Sequence, residues 1–182
     1  MNTKNLVLMA LLVAVGAALY LIIPGYGEGM KIDFMLTMMF IGILLFPDKK
    51  SVFLLAVTTG VISGLFSTFP GGFIPNIVDK FISAFVIYAL VIVFKKFTGN
   101  IIVTTIMAGI LTILSGTIFL SVALFILGAS IPGFASPSAA FAGLFGLVVI
   151  PAIAVNCIVF FIIYPIVKGL MKRTSFKTVL SN

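Results

Sequence analysis

From Phe97 to Val167 the chain runs for 71 residues without a single formal charge. No soluble domain tolerates such a run easily. Charged residues make up about 25% of a typical soluble sequence, whereas here they are 8%, against 62% hydrophobic. With 182 residues in all, a soluble fold would have too small an interior to hide that much apolar surface, because burial is limited by surface-to-volume scaling. The solvent for most of this chain is therefore lipid.

The apolar runs predict an all-α integral membrane protein, one domain over residues 1–182 built as a six-helix transmembrane bundle. Residues 6–23 are 18 uncharged positions, long enough to span. They read as a retained helix rather than a signal peptide, since the run ends in Tyr20-Leu-Ile-Ile-Pro24, a poor cleavage site. Further spans are expected over 30–46, 52–69, 76–94, 101–127 and 141–167. The second is awkward. Its purely apolar part, 34–46, reaches only about 20 Å of a roughly 30 Å hydrocarbon core. Extending it back to Met30 draws in Lys31 and Asp33, which places that pair at the membrane boundary or in a protected pocket.

Six spans also sort the basic residues. With the N-terminus inside, the inner segments hold Lys4, Lys49, Lys50, Lys95, Lys96, Lys168, Lys172, Arg173 and Lys177, and the outer ones only Lys31 and Lys80. This asymmetry follows the positive-inside rule and predicts cytoplasmic termini in a multi-pass protein of the cell membrane. The net charge of +7 is then a mark of topology rather than of nucleic-acid binding.

Composition removes several chemistries. Without histidine, His-ligated metals and Ser-His-Asp triads are excluded. The single cysteine, Cys157, allows neither an intrachain disulfide nor a thiolate zinc cluster. No G-x-x-x-x-G-K-[ST] run occurs, so the chain lacks a P-loop of its own. No catalytic residue, metal or cofactor is expected in this chain.

What remains is a small set of ionic groups, mostly at one side of the expected bundle. Glu28, Lys31 and Asp33 fall at the first outer loop, and Asn76, Asp79 and Lys80 at the second. Charges at membrane depth are costly and face a cavity or a partner. Both signs together suit a zwitterionic amino acid, whose ammonium needs a carboxylate and whose carboxylate needs Lys, Asn or backbone N–H donors. A plainer reading stands beside this one: Asn76-x-x-Asp79 resembles a capping box, and Lys80 could snorkel to the headgroups. Asn156, deep in the sixth span, needs a hydrogen-bond partner there, either another helix or a ligand. Phe69, Phe73 and Tyr26 lie where they could flank a ligand ring. On the first helix Ala10, Ala14 and Ala18 form a stripe that permits close helix approach; whether inside the bundle or to another subunit stays open. Gly60 and Gly64 repeat the pattern in the third helix, read as packing within the bundle.

The segment Phe69-Pro-Gly-Gly-Phe-Ile-Pro-Asn-Ile-Val-Asp-Lys80, the run from Met30 to Pro47 and the Tyr164-Pro165 ending resemble the TrpP-like tryptophan transporters, which are similar to the substrate-binding (S) components of energy-coupling factor transporters. The resemblance implies a six-helix protein that captures a small molecule outside and releases it inside by rotating against a transmembrane coupling subunit, powered by two ATPase subunits in other chains. It implies tryptophan as ligand, held at the Asn76, Asp79 and Lys80 motif, and loops 24–29 and 128–137 as gates. With that ligand, Asp79 or Asp33 is expected on its ammonium, Lys80 with Asn76 on its carboxylate, Phe69, Phe73 or Tyr26 beside the indole, and Asn156 either on the indole N–H or bracing helices. It also implies that Ala10, Ala14 and Ala18 dock the coupling subunit. The rivals are a stand-alone proton-coupled secondary transporter of an aromatic amino acid, with Asp79 or Asp33 carrying the proton, a membrane-embedded enzyme, for which few residues are available, and a purely structural subunit.

Overall fold

In a computed structural model the chain is an all-helical bundle. Residues 3–25 and 28–173 are described, Lys172 and Arg173 by backbone alone. Tyr26, Lys177 and the side chains of Lys172 and Arg173, all used in the sequence reading, lie outside the described residues.

The helices are α1 (Thr3–Ile22), α2 (Phe34–Leu45), α3 (Lys49–Leu65), α4 (Phe73–Val93), α5 (Ile101–Ser121), α6 (Pro137–Leu144) and α7 (Ile150–Arg173). A π-helical turn, Val122–Ile126, extends α5, and another, Phe145–Val149, joins α6 to α7 in one rod. Among the described residues the result is six rods. Four stretches of them are long and apolar enough to cross a membrane: Thr3–Ile22, Phe73–Val93, Ile101–Ile126 and Pro137–Met171. The other two, α2 and α3, have 12 and 17 residues.

Helix starts follow local chemistry. Asp48 caps α3 by accepting from Ser51 N at 3.0 Å, Asn100 caps α5 through Ile102 N at 2.9 Å, and Ser136 caps α6 through Ala139 N at 3.2 Å, just before Pro137. Each cap satisfies one of the amides a helix start leaves unpaired. Asp33 caps α2 through Leu36 N at 3.1 Å, so this helix starts at Phe34 and Lys31 and Asp33 stand outside it. The expected 30–46 helix is thus shorter, because a side-chain cap ends it before the charged pair.

The central element is α2. All 12 of its residues are buried, enclosed by α1, α3, α4, α5 and α7. A helix apolar on every side needs neighbours on every side, and that is how a segment too short to span finds its place. Phe40 on α2 stacks on Phe160 of α7 with ring centroids 4.9 Å apart, and Phe160 stacks on Tyr164 at 5.1 Å. Helices α3 and α4 approach closely. A Cβ on Gly60 would lie 3.1 Å from Ile77 Cα, and one on Gly64 2.9 Å from the Phe73 carbonyl oxygen. These two glycines therefore serve packing within the bundle.

The outward faces are apolar. On α5, Ile102, Ile106, Ile110 and Ile113 are 41–62% exposed at helical spacing, and Ile158, Phe161, Ile162 and Ile166 do the same on α7. Exposed apolar faces this continuous mark contact with something other than water, and here that is lipid. At one end a second cluster joins three loops: Met30, Phe69, Ile131 and the partly buried Phe134 pack with Phe119 and Leu124. At the opposite end Lys49, Lys50, Lys95 and Lys96 are exposed.

Candidate functional site

Beneath the three-loop end lies a cavity bounded by α1, the start of α2, α4, α5 and the rod of α6 and α7. Its interior is about 40 Å³, and the whole cleft with its open mouth is about 510 Å³. Tyr20, Lys31 and Asp33 line it, as do Asn76, Asp79, Thr112, Ser115, Phe119 and Asn156.

The electrostatic centre is Lys80. It is fully buried, and its Nζ forms an ion pair with Asp33 Oδ2 and another, at 2.5 Å, with Asp79 Oδ2. Asp79 is buried as well. Its Oδ2 also accepts from Ser115 Oγ at 2.7 Å and its Oδ1 from Ser83 Oγ at 2.9 Å. A charge removed from water requires this degree of pairing and hydrogen bonding. The close α3–α4 packing makes room for it, since Gly60 lies against the Lys80 stem. When ionised, two carboxylates and one ammonium leave a net charge of −1. Asp33, 20% exposed, is the member nearest the opening.

Helix α4 begins at Phe73, with Gly72 in the capping position. Asn76 is thus inside the helix, and its Nδ2 donates to Gly72 O at 2.7 Å. The capping-box alternative for Asn76 and Asp79 does not apply, and Lys80 does not snorkel. At the mouth Lys31 Nζ donates to Tyr20 O at 3.3 Å and sits 4.9 Å from the centre of the Tyr20 ring, a cation–π arrangement. On the far wall Asn156 Nδ2 donates to Thr112 Oγ1 at 3.2 Å.

The aromatic candidates separate. Phe69 is buried edge-on against Phe119, with centroids 5.2 Å apart, and Phe119 rather than Phe69 faces the cavity. Phe73 is 43% exposed and packs on Gly64, away from the cavity. Tyr26 lies outside the described residues. Ala10, Ala14 and Ala18 are exposed on the outer face of α1. Ala10 and Ala14 line an apolar groove of about 360 Å³ with Leu54, Thr58 and Ile62 of α3.

The sequence reading did not include Tyr20, Thr112, Ser115 or Phe119. One signal was present. Thr104, Ala108, Thr112, Ser115 and Phe119 recur at three- and four-residue steps and so share a face of α5. Small polar residues on one stripe of an uncharged span mark the side turned inward. Both π-helical turns flank this region, with Val148 and Val149 forming part of the wall.

An all-helical bundle with lipid-facing flanks and a charged internal cavity defines a multi-pass membrane protein. The sequence matches the family "Tryptophan transporter TrpP" over residues 2–172. It is 50% identical over 178 residues to a Bacillus subtilis protein named "Probable tryptophan transport protein", covering 97% of each chain. A Clostridium acetobutylicum protein of the same name is 41% identical, covering 94% of this chain and 96% of the relative. For a Clostridium perfringens protein, also so named, the identity is 33%, with 96% of each chain covered. The chain belongs to the TrpP tryptophan transporter family. No solved structure matches it.

Proposed function

We propose that this protein takes up tryptophan as the substrate-binding subunit of an energy-coupling factor importer. The observation that carries the reading is the Asp33–Lys80–Asp79 group. With both acids ionised the group carries one net negative charge beside a cavity inside a lipid-bathed bundle, where an α-ammonium group neutralises it. The ligand ammonium is assigned to Asp33 and Asp79. Lys80 is committed to both acids and does not line the cavity, which supports giving the ligand carboxylate to Lys31 and Asn76. Phe119 and Tyr20 flank the ring, with Phe69 backing Phe119.

An interior of about 40 Å³ holds on the order of three waters, far less than an indole. The ligand therefore enters as the loop end opens. Among the described residues, contacts that close that end include Thr68 Oγ1 donating to Gly29 O at 2.6 Å and Phe69 meeting Phe119 edge-on. Loops 24–29 and 128–137 act as the gates. The exposed alanine face of α1 and its groove receive the transmembrane coupling subunit, against which the bundle rotates, while two ATPase subunits drive release. Six spans with both termini in the cytoplasm put the cavity mouth outside and the exposed lysines of the other end inside.

The test is a titration of the purified protein in nanodiscs with tryptophan, phenylalanine, tyrosine and leucine. Tryptophan should bind in preference, and Asp33→Asn and Asp79→Asn should each weaken it about tenfold or more, the worth of a charge-assisted bond. Unchanged affinity in both variants removes the site. Uptake that needs the ATPases and survives an ionophore supports the importer. The opposite pattern identifies a proton-coupled secondary transporter.

A further inference from the structure

Asn156 is 1% exposed and lines the cavity, yet its Oδ1 has no hydrogen-bond partner. Buried polar side-chain atoms are nearly always satisfied, so an orphan beside a cavity calls for an explanation. Which end of the amide is left unpaired follows from the neighbouring bonds. Thr112 Oγ1 donates its only proton to Ala108 O at 2.9 Å. The Thr112 oxygen can then only accept, and what it accepts is the Asn156 Nδ2 proton at 3.2 Å. A flipped amide would set two acceptors against each other. The chain Asn156 → Thr112 → Ala108 thus holds the carboxamide with its carbonyl free.

This reading rests on tryptophan as the ligand, and it deepens it. We infer that Asn156 Oδ1 accepts the N–H of the ligand's indole ring and selects for rings that carry such a donor. The placement agrees with the ion cluster. Thr112, which holds Asn156, and Ser115, which holds Asp79, are three residues apart on α5, just under a turn and about 4.5 Å of rise. An ammonium at the acids and a ring N–H at Asn156 belong to one small molecule spanning that turn. Phenylalanine and tyrosine rings carry no N–H and would leave the acceptor unpaired. Sites built around a buried hydrogen bond reject analogues that lack it more strongly than apolar pockets reject a change of size.

The experiment compares tryptophan with 3-benzothienylalanine, in which sulfur replaces the ring N–H in nearly the same shape. The chain has no Trp, so in detergent the protein adds no indole emission of its own, and bound tryptophan is told from free by its fluorescence anisotropy, which falls as a competitor displaces it. The wild type should prefer tryptophan about tenfold or more. Asn156→Ala should bind the two ligands within about threefold of each other, mainly by weakening tryptophan. Thr112→Val, which frees the amide to turn, should also narrow the gap and provides the readout if Asn156→Ala does not fold. A wild type that binds both ligands equally overturns the inference while leaving tryptophan binding in place, as does an Asn156→Ala protein that keeps the full preference. A wild type that binds no tryptophan overturns the underlying reading with it.

Discussion

Lys80→Met is the sharpest probe of the bundle's electrostatics. The substitution nearly preserves side-chain length and removes the charge. Asp33 and Asp79, both paired with one nitrogen, then lose their shared counter-charge, with Asp79 at 1% exposure and Asp33 at 20%. Removing one partner of a buried ion pair costs about 3–5 kcal/mol, because the remaining charge is left uncompensated. For a chain of 150–250 residues each kcal/mol moves the melting temperature by about 2–4 °C, so the expected fall is roughly 6–20 °C. The partial exposure of Asp33 favours the lower half of that range, since water reaches it and takes up part of the charge. The double variant Lys80→Met/Asp79→Asn removes the deepest stranded charge and should recover at least about half of the loss, the coupling expected of residues in direct contact. The assay is a thermal scan in detergent, following the monodisperse fraction by size-exclusion chromatography. A Lys80→Met protein that melts within about 2 °C of the wild type, or a double variant no more stable than the single one, would refute the claim that this lysine holds the two acids together.

Three further outcomes are expected. Gly29 has φ +86°, and a Cβ there would overlap the Thr68 carbonyl, so Gly29→Ala should cost about 1–2 kcal/mol from backbone strain alone, seen as a lower melting temperature and easier proteolysis at the first loop. Ser115→Ala removes a 2.7 Å donor from Asp79 Oδ2 and should cost about 1.5–3 kcal/mol, a loss that Ser115→Thr should partly restore in the same thermal scan. Ala14→Leu adds bulk to the exposed face of α1, so melting temperature and tryptophan binding should stay unchanged while cellular uptake falls; uptake at the wild-type rate would remove that face as a docking surface.

The sequence made the existence of a helical membrane bundle readable, because a long uncharged run has few alternatives in water. It also singled out Asp33, Asn76, Asp79 and Lys80, since polar and ionic groups stand out against an apolar background, and the structure brings them together beside one cavity. It could not show their division of labour. Lys80 read as a ligand-facing or snorkelling cation, and only the packing of α4 against the start of α2, where Asp33 stands, shows it tied between two acids. Phe73 and Phe69 are four residues apart beside the same charged cluster, yet the helix start at Phe73 turns that ring outward while Phe69 stays behind Phe119. Ser115 and Thr112 carried no charge and so drew little notice, although a shared stripe on α5 gave their orientation. The second helix resisted for a different reason: its length argued against a span, and nothing local indicated that neighbours would surround it.

That enclosure has a consequence for how the protein responds to its membrane. Bilayer thickness acts on a helix through the mismatch between hydrocarbon depth and apolar length, which is relieved by tilt or by local thinning. With every residue covered by protein, α2 touches no acyl chain and is insulated from that force. Changes in bilayer thickness therefore act first on the outer rods and reach α2, with the Asp33 cap at its tip, only through the helices packed around it.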